Sequence, residues 1–245
     1  MHPSDGNVLC YVELAAAMGA DYPFYGLQAK GLNGKDEPLR EVATMAKHYI
    51  DAIRRVQAQG PYHLGGWSAG GLIAFEMAQQ LMEMGESVNL VLLDSIYPAR
   101  FPQESGISHE ARLREILFGI ESAELPENYE PAHTLRAIWD EAAAGYDAKP
   151  YPGKITLVLT ESFAQRKEIY MARLKQRIAE KNFRRSAKLV RMLEGLDQLN
   201  PANWVDLAEG GFEMVPTSGD HHSFLYRENC QHVAQCIMRC IDSAD

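Results

Sequence analysis

Four cysteines in 245 residues are too few to staple a disulfide scaffold. They are Cys10, Cys230, Cys236 and Cys240. Three crowd the C-terminal end without a C-x-x-C spacing, the pattern of reduced thiols in a cytosol. The chain also lacks any apolar run of roughly 18 residues, the length a membrane helix needs. No basic segment followed by an apolar one opens it, so no secretory signal is read there and a cytoplasmic location is expected. Basic residues are in deficit. Lys and Arg number 24 against 33 Asp and Glu, a net charge of −9 that argues against a nucleic-acid partner. Internal repeats and low-complexity tracts are missing too. His232, Cys236 and Cys240 fall at i, i+4, i+8 on one face of a predicted helix. One helix rarely supplies a full ligand set, so this reads as a packed face with incidental thiols, and no metal is expected.

The most informative stretch is Gly66-Trp67-Ser68-Ala69-Gly70, a G-x-S-x-G pentapeptide with Gly71 behind it. Alone it is common and could be a chance turn. Its flanks decide the reading. Tyr62 to Trp67 is apolar and aromatic, as in a short buried strand. Leu72 to Met82 carries apolar residues at helical spacing. Ser68 therefore sits at a strand-to-helix corner, the nucleophile elbow of α/β-hydrolases. The glycines on either side let strand and helix approach closely. The helix start turns backbone N–H groups toward a developing oxyanion.

The remaining pattern fits an α/β-hydrolase fold: a mostly parallel central sheet flanked by helices, with a helical lid insertion. Val8–Met18 reads as helix with Gly19 as its cap. Pro23–Gln28 reads as a short aromatic strand. Pro38–Gln57 reads as a long amphipathic helix whose buried stripe includes Leu39, Val42, Met45, Tyr49, Ile53 and Val56. Ser87–Asp94 is a nearly continuous apolar strand, expected inside a parallel sheet, and it ends on an acid. Strands are also predicted at Lys154–Thr160 and Gly211–Pro216, before a closing helix. The core is expected over 1–97 and 151–245. Residues 98–150 interrupt it with two apolar stripes, Leu113, Ile116, Leu117, Ile120 and Leu135, Ile138, Trp139. They follow Asp94 at the sheet edge where open α/β sheets bind ligands, so a lid is expected rather than a decorative subdomain. Ten of the 24 basic residues fall in 166–191. A solvated helix face is the ordinary reading, a docking surface for an acidic partner the sharper one.

A serine hydroxyl needs a base, and the base needs an acid to hold its tautomer. The chain order in α/β-hydrolases is Ser, Asp/Glu, His. His221 and His222 alone fall in the loop after the last strand; His221, directly after Gly219-Asp220, is chosen. The acid is Asp94 or Glu161, each at a strand end. Ala69 N–H should form half of an oxyanion hole, and the Ser4–Gly6 loop is placed to supply the other half.

Gly65-Gly66-Trp67-Ser68-Ala69-Gly70-Gly71 with Phe75-Glu76-Met77-Ala78 resembles the integral, chain-terminating thioesterase domains of non-ribosomal peptide synthetases and polyketide synthases. The opening His2-Pro3-Ser4-Asp5-Gly6 is similar to their H-P-x-x-G oxyanion-loop motif. Pro23–Gln28, Gly60-Pro61-Tyr62 and Gly219-Asp220-His221 also match. The resemblance is dense over 2–98 and returns over 201–225. It implies Asp94 as the acid, His221 as the base, and Ser4 as the second oxyanion donor. It implies a polyketide or peptide chain delivered on the phosphopantetheine of an acyl or peptidyl carrier domain, with no cofactor held by this domain. Release would pass through an acyl-Ser68 ester, by hydrolysis or cyclisation. No strand precedes His2, as expected of a domain excised from a larger synthase. Stand-alone editing thioesterase, carboxylesterase and a hydrolase-fold binding module are the rival readings.

Overall fold

A computed structural model describes residues 1–95, 130–163 and 201–243, together with 165, 168 and 172. Four parallel strands lie side by side in chain order: β1 (Tyr62–Trp67), β2 (Val88–Leu93), β3 (Ile155–Thr160) and β4 (Phe212–Thr217). Register pairs Tyr62 with Val88, Leu90 with Ile155, and Ile155 with Phe212. The helices are α1 (Val12–Met18), α2 (Val42–Ile53), α3 (Ala69–Glu83), α4 (Glu130–Ala144) and α5 (Arg227–Asp242).

Side-chain alternation along the strands builds two apolar layers. Leu90 and Leu92 of β2, with Ile155 and Leu157 of β3, face α2, α3 and α4. Val91, Leu93 and Val158 face the opposite way, into Leu14 and Met18 of α1 and Val233 and Ala234 of α5. A strand buried on both faces cannot alternate with polar residues, which explains the run Val-Asn-Leu-Val-Leu-Leu. Helix α3 lies beneath β1 and β2, and residues from Ala69 to Leu81 are buried on nearly every side. Phe75 closes this layer against the rings of Trp204 at 5.0 Å and Tyr151 at 5.7 Å. Burying such a side chain contributes about 1.5–3 kcal/mol.

Helix α4, inside the expected lid segment, packs on the core. Leu135, Ile138 and Trp139 are buried, as the stripe predicts. Just beyond its C-terminal end, Tyr146 Oη donates to Glu76 Oε2 at 2.5 Å, and Gln79 Nε2 donates to the Lys149 carbonyl at 2.7 Å. The other stripe at 113–120 and the basic side chains of 166–191 lie outside the described residues.

Several element readings need correction. Pro23–Gln28 is not a strand. It runs beside the first residues through two backbone bonds, His2 N to Leu27 O at 3.2 Å and Ala29 N to Gly6 O at 2.9 Å, and joins no ladder. The helix expected from Pro38 begins at Val42, because Glu41 is extended at φ −133° and ψ 135°. It ends at Ile53, which leaves Val56 outside the stripe and 64% exposed. The Val8–Met18 helix opens as a 3₁₀ turn over Leu9–Tyr11. His232 is exposed and faces the Pro216 carbonyl at 3.2 Å, while Cys236 is buried against the sheet, so these two do not converge. Among the described residues no helix is long and apolar enough to cross a membrane, and no group of acidic, His and Cys side chains is arranged around a metal position.

Tyr11 ties the first residues to β1. Its hydroxyl donates to the Met1 carbonyl at 2.5 Å and accepts from Trp67 N–H at 2.8 Å. The Met1 nitrogen donates to the Gly65 carbonyl at 2.7 Å. Tyr11→Phe strips one buried N–H and one buried carbonyl of this partner. The expected loss is about 1–3 kcal/mol. Urea denaturation should show a lower midpoint with unchanged slope.

Candidate active site

Ser68 stands where β1 ends and α3 begins, with φ 54° and ψ −122°. Its N–H donates to the Leu93 carbonyl at 3.0 Å, and its own carbonyl accepts from Ser95 Oγ at 2.7 Å. The corner closes only because Gly66, Gly70 and Gly71 carry no side chain; a Cβ on Gly71 would lie 1.9 Å from Ser95 Oγ. A Cβ on Gly66 would lie 2.1 Å from the Gly70 carbonyl oxygen. One on Gly70 would lie 2.4 Å from the Met1 carbonyl oxygen and 2.6 Å from that of His2. The first residues of the chain therefore pass directly over the start of α3. Ala69 is the first residue of α3, so its N–H has no partner within the helix.

The Ser68–Leu93 bond sets the elbow beside the end of β2, where Asp94 follows. Asp94 is 1% exposed and has a left-handed φ of 43°. Its Oδ1 accepts from Thr160 N–H at 2.9 Å and from Thr160 Oγ1 at 3.0 Å. Its Oδ2 lies 2.7 Å from His221 Nδ1. A carboxylate oxygen turned to Nδ1 accepts a hydrogen bond from it, which assigns the Nδ1–H tautomer to His221 and leaves Nε2 as the basic nitrogen.

His221 is 2% exposed, and its ring lies 5.1 Å from that of Trp67, the residue before Ser68. Its loop is internally braced. Asp220 Oδ1 accepts from His222 N–H and Ser223 N–H, each at 2.9 Å, and Ser223 Oγ accepts from Asp220 N–H at 2.9 Å. His222 is exposed, with its ring edge-on to those of His221 at 5.3 Å and Trp67 at 6.1 Å, and Glu161 is exposed. The structure thus brings Ser68, Asp94 and His221 to the carboxyl ends of β1, β2 and β4, with His221 the imidazole that meets Asp94.

Ser4 sits on a turn closed by Gly6 N–H to Pro3 O at 3.0 Å. A small, partly open indentation beside it is lined by His2, Ser4, Lys30, Tyr49, Leu135 and Trp139. Burial pushes the His2 imidazole down from 6.5 to about 4, against the opposing pull of the Pro3 carbonyl beside it. Sequence reasoning missed Thr160, Ser95 and the His2–Tyr49 contact. A hydroxyl closing the apolar strand β3 was the only available signal for Thr160.

A strained serine corner and a buried Asp–His pair on a parallel α/β sheet define a serine hydrolase of the α/β-hydrolase class. The thioesterase domain family model matches residues 1–240, and the chain belongs to that family. A dimodular nonribosomal peptide synthase of Bacillus subtilis is 46% identical over 101 residues, 41% of this chain and 4% of that protein. The non-reducing polyketide synthase crz7 of Cladonia metacorallifera is 28% identical over 95% of this chain and 11% of its own length. The chain thus spans a small fraction of these relatives. The NocB thioesterase domain, solved as a covalent complex with a fluorophosphonate nocardicin G analog, superposes with a TM-score of 0.66 at 25% identity. That match covers 98% of this chain and 92% of that one.

His2 gives the site a pH-dependent stability. Its folded value of about 4 lies below the unfolded 6.5, so the unfolded chain binds the extra proton between them. Stability is expected to fall as pH drops from 6.5 toward 4 and to level off below, by roughly 3 kcal/mol in all. Denaturation midpoints of native protein and His2→Asn across this range should converge as pH falls.

Proposed function

We propose that this domain releases an acyl or peptidyl chain from the phosphopantetheine of a carrier domain, within a larger cytoplasmic synthase. The observation that carries the reading is Asp94 Oδ2 at 2.7 Å from His221 Nδ1, at the same sheet edge as the strained Ser68. Family membership and the synthase relatives point to a thioester substrate.

In this reading His221 Nε2 takes the Ser68 hydroxyl proton as Oγ attacks the thioester carbonyl. The Ala69 N–H and the Ser4 N–H receive the developing oxyanion. The tetrahedral adduct collapses, the C–S bond breaks, and His221 returns the proton to the departing thiolate. The chain is now a Ser68 ester. Water or a nucleophile of the chain itself gives a proton to His221 and releases it. Asp94 holds the imidazole tautomer and stabilises the imidazolium. The core comprises 1–97 and 151–245, with 98–150 as a lid over the acyl chain. The domain contributes no cofactor of its own.

Turnover of acyl-pantetheine thioesters by variants tests this. Ser68→Ala should abolish turnover, and Asp94→Asn should lower kcat by about 10³–10⁴ through loss of the correct tautomer. Glu161→Gln should stay within about twofold of native, as expected of an exposed side chain outside the site. Full activity of Ser68→Ala, or equal damage from Glu161→Gln and Asp94→Asn, would sink the assignment.

A further inference from the structure

The turn that carries Ser4 is held from below by two buried side chains that take no part in the bond changes. Tyr49, from the buried stripe of α2, lies with its hydroxyl 2.8 Å from His2 Nε2. The rings meet edge to face, with centroids 5.6 Å apart and planes at 78°. His2 Nδ1 lies 2.7 Å from the Pro3 carbonyl oxygen. A carbonyl only accepts, so Nδ1 carries the proton, and Nε2 accepts from the Tyr49 hydroxyl. A His2 ring that is 5% exposed and whose charged form is disfavoured by burial suits this neutral tautomer.

The Pro3 carbonyl receives two donors, His2 Nδ1–H and Gly6 N–H. Its peptide unit is planar, so fixing the direction of the C=O fixes the N–H at the other end. That N–H belongs to Ser4. The same segment crosses the start of α3 so closely that a Cβ on Gly70 would lie 2.6 Å from the His2 carbonyl oxygen. A small rotation of this peptide would swing the Ser4 N–H relative to the Ala69 N–H.

We propose that His2 and Tyr49 are positioning residues of the oxyanion hole. Through the chain Tyr49 hydroxyl, His2 imidazole and Pro3 carbonyl, they aim the Ser4 N–H. The proposal rests on the Ser68 and Ser4 roles proposed above. Neither side chain touches the reacting atoms, so an effect carried by the Ser4 N–H belongs to the transition state, whereas one carried by the indentation they line would belong to substrate binding.

The test compares two ligands with native and variant proteins. A trifluoromethyl ketone analogue of an acyl-pantetheine thioester forms a C–O bond with Ser68 Oγ. The serine proton passes to His221, and the carbonyl π pair becomes an alkoxide in the oxyanion hole. The corresponding acyl-pantetheine amide binds without forming an oxyanion. For Tyr49→Phe, which removes one oxygen, kcat and ketone affinity should fall together by about tenfold, a fraction of the loss of a whole oxyanion donor. KM and amide affinity should stay within about twofold under uniform ground-state binding. His2→Leu should behave alike, and adding Tyr49→Phe to it should cost nothing more. His2→Asn, whose Nδ2 can donate to Pro3, should recover most of the kcat lost in His2→Leu. Native kcat in Tyr49→Phe overturns the proposal. So does an amide affinity that falls in step with the ketone affinity, since the pair would then only shape the indentation. If His2→Leu does not fold, Tyr49→Phe alone decides. A ketone that binds Ser68→Ala as tightly as native protein overturns the serine role itself, a different failure from one confined to Tyr49 and His2.

Discussion

Ser68 holds a φ of 54° and a ψ of −122°, which costs an L-residue about 1–3 kcal/mol. Nothing local favours it; the surroundings impose it. The Leu93 carbonyl takes the Ser68 N–H, Ser95 Oγ holds the Ser68 carbonyl, and the missing Cβ at Gly66 lets the first turn of α3 come down on β1. Gly70 lets the first residues of the chain cross over the same turn. The hydroxyl side chain, the start of a helix and the Pro3–Gly6 turn meet at one point because that point has no room for anything larger than glycine around it.

The acidic partner follows a related logic. Asp94 also has a left-handed backbone, and its carboxylate is buried where an isolated charge would be costly. Thr160 supplies two donors from the neighbouring strand and His221 a third. The parallel register places these groups together. Leu93 pairs with Trp67 and with Val158, so the residues just past β1, β2 and β3 emerge along one edge. His221 reaches that edge on a loop braced by Asp220 and Ser223. A positional precision of this kind comes from the sheet; the side chains only exploit it.

Much of this was legible in the primary structure, and for identifiable reasons. The strands at 62–67, 88–93, 155–160 and 212–217 are short apolar runs bounded by turn residues, a pattern with one good interpretation. Ser68 stood out by its motif and its flanks, whereas strand ends left Asp94 and Glu161 open and only the family resemblance chose between them, as it also implied His221. Pro23–Gln28 misled because its aromatic content resembles a strand, whereas a strand exists only if a partner supplies its bonds. Val56 fitted a helical stripe that had already ended at Ile53. The roles of Thr160 and of the His2–Tyr49 contact were illegible because they depend on pairs 66 and 47 residues apart, which periodicity cannot reach.

The packing of α1 against α5 joins opposite ends of the chain. Tyr22 Oη reaches Asp242 at 2.8 Å, a span of 220 residues, and the Asp94–His221 contact spans 127. Closing loops of this size is entropically slow, so such contacts form late. During synthesis the elbow around Ser68 emerges well before the loop that bears His221. A nascent chain that already carries the serine still lacks its imidazole. In the proposed reading, a chain that stops short of this loop would carry the serine without its base.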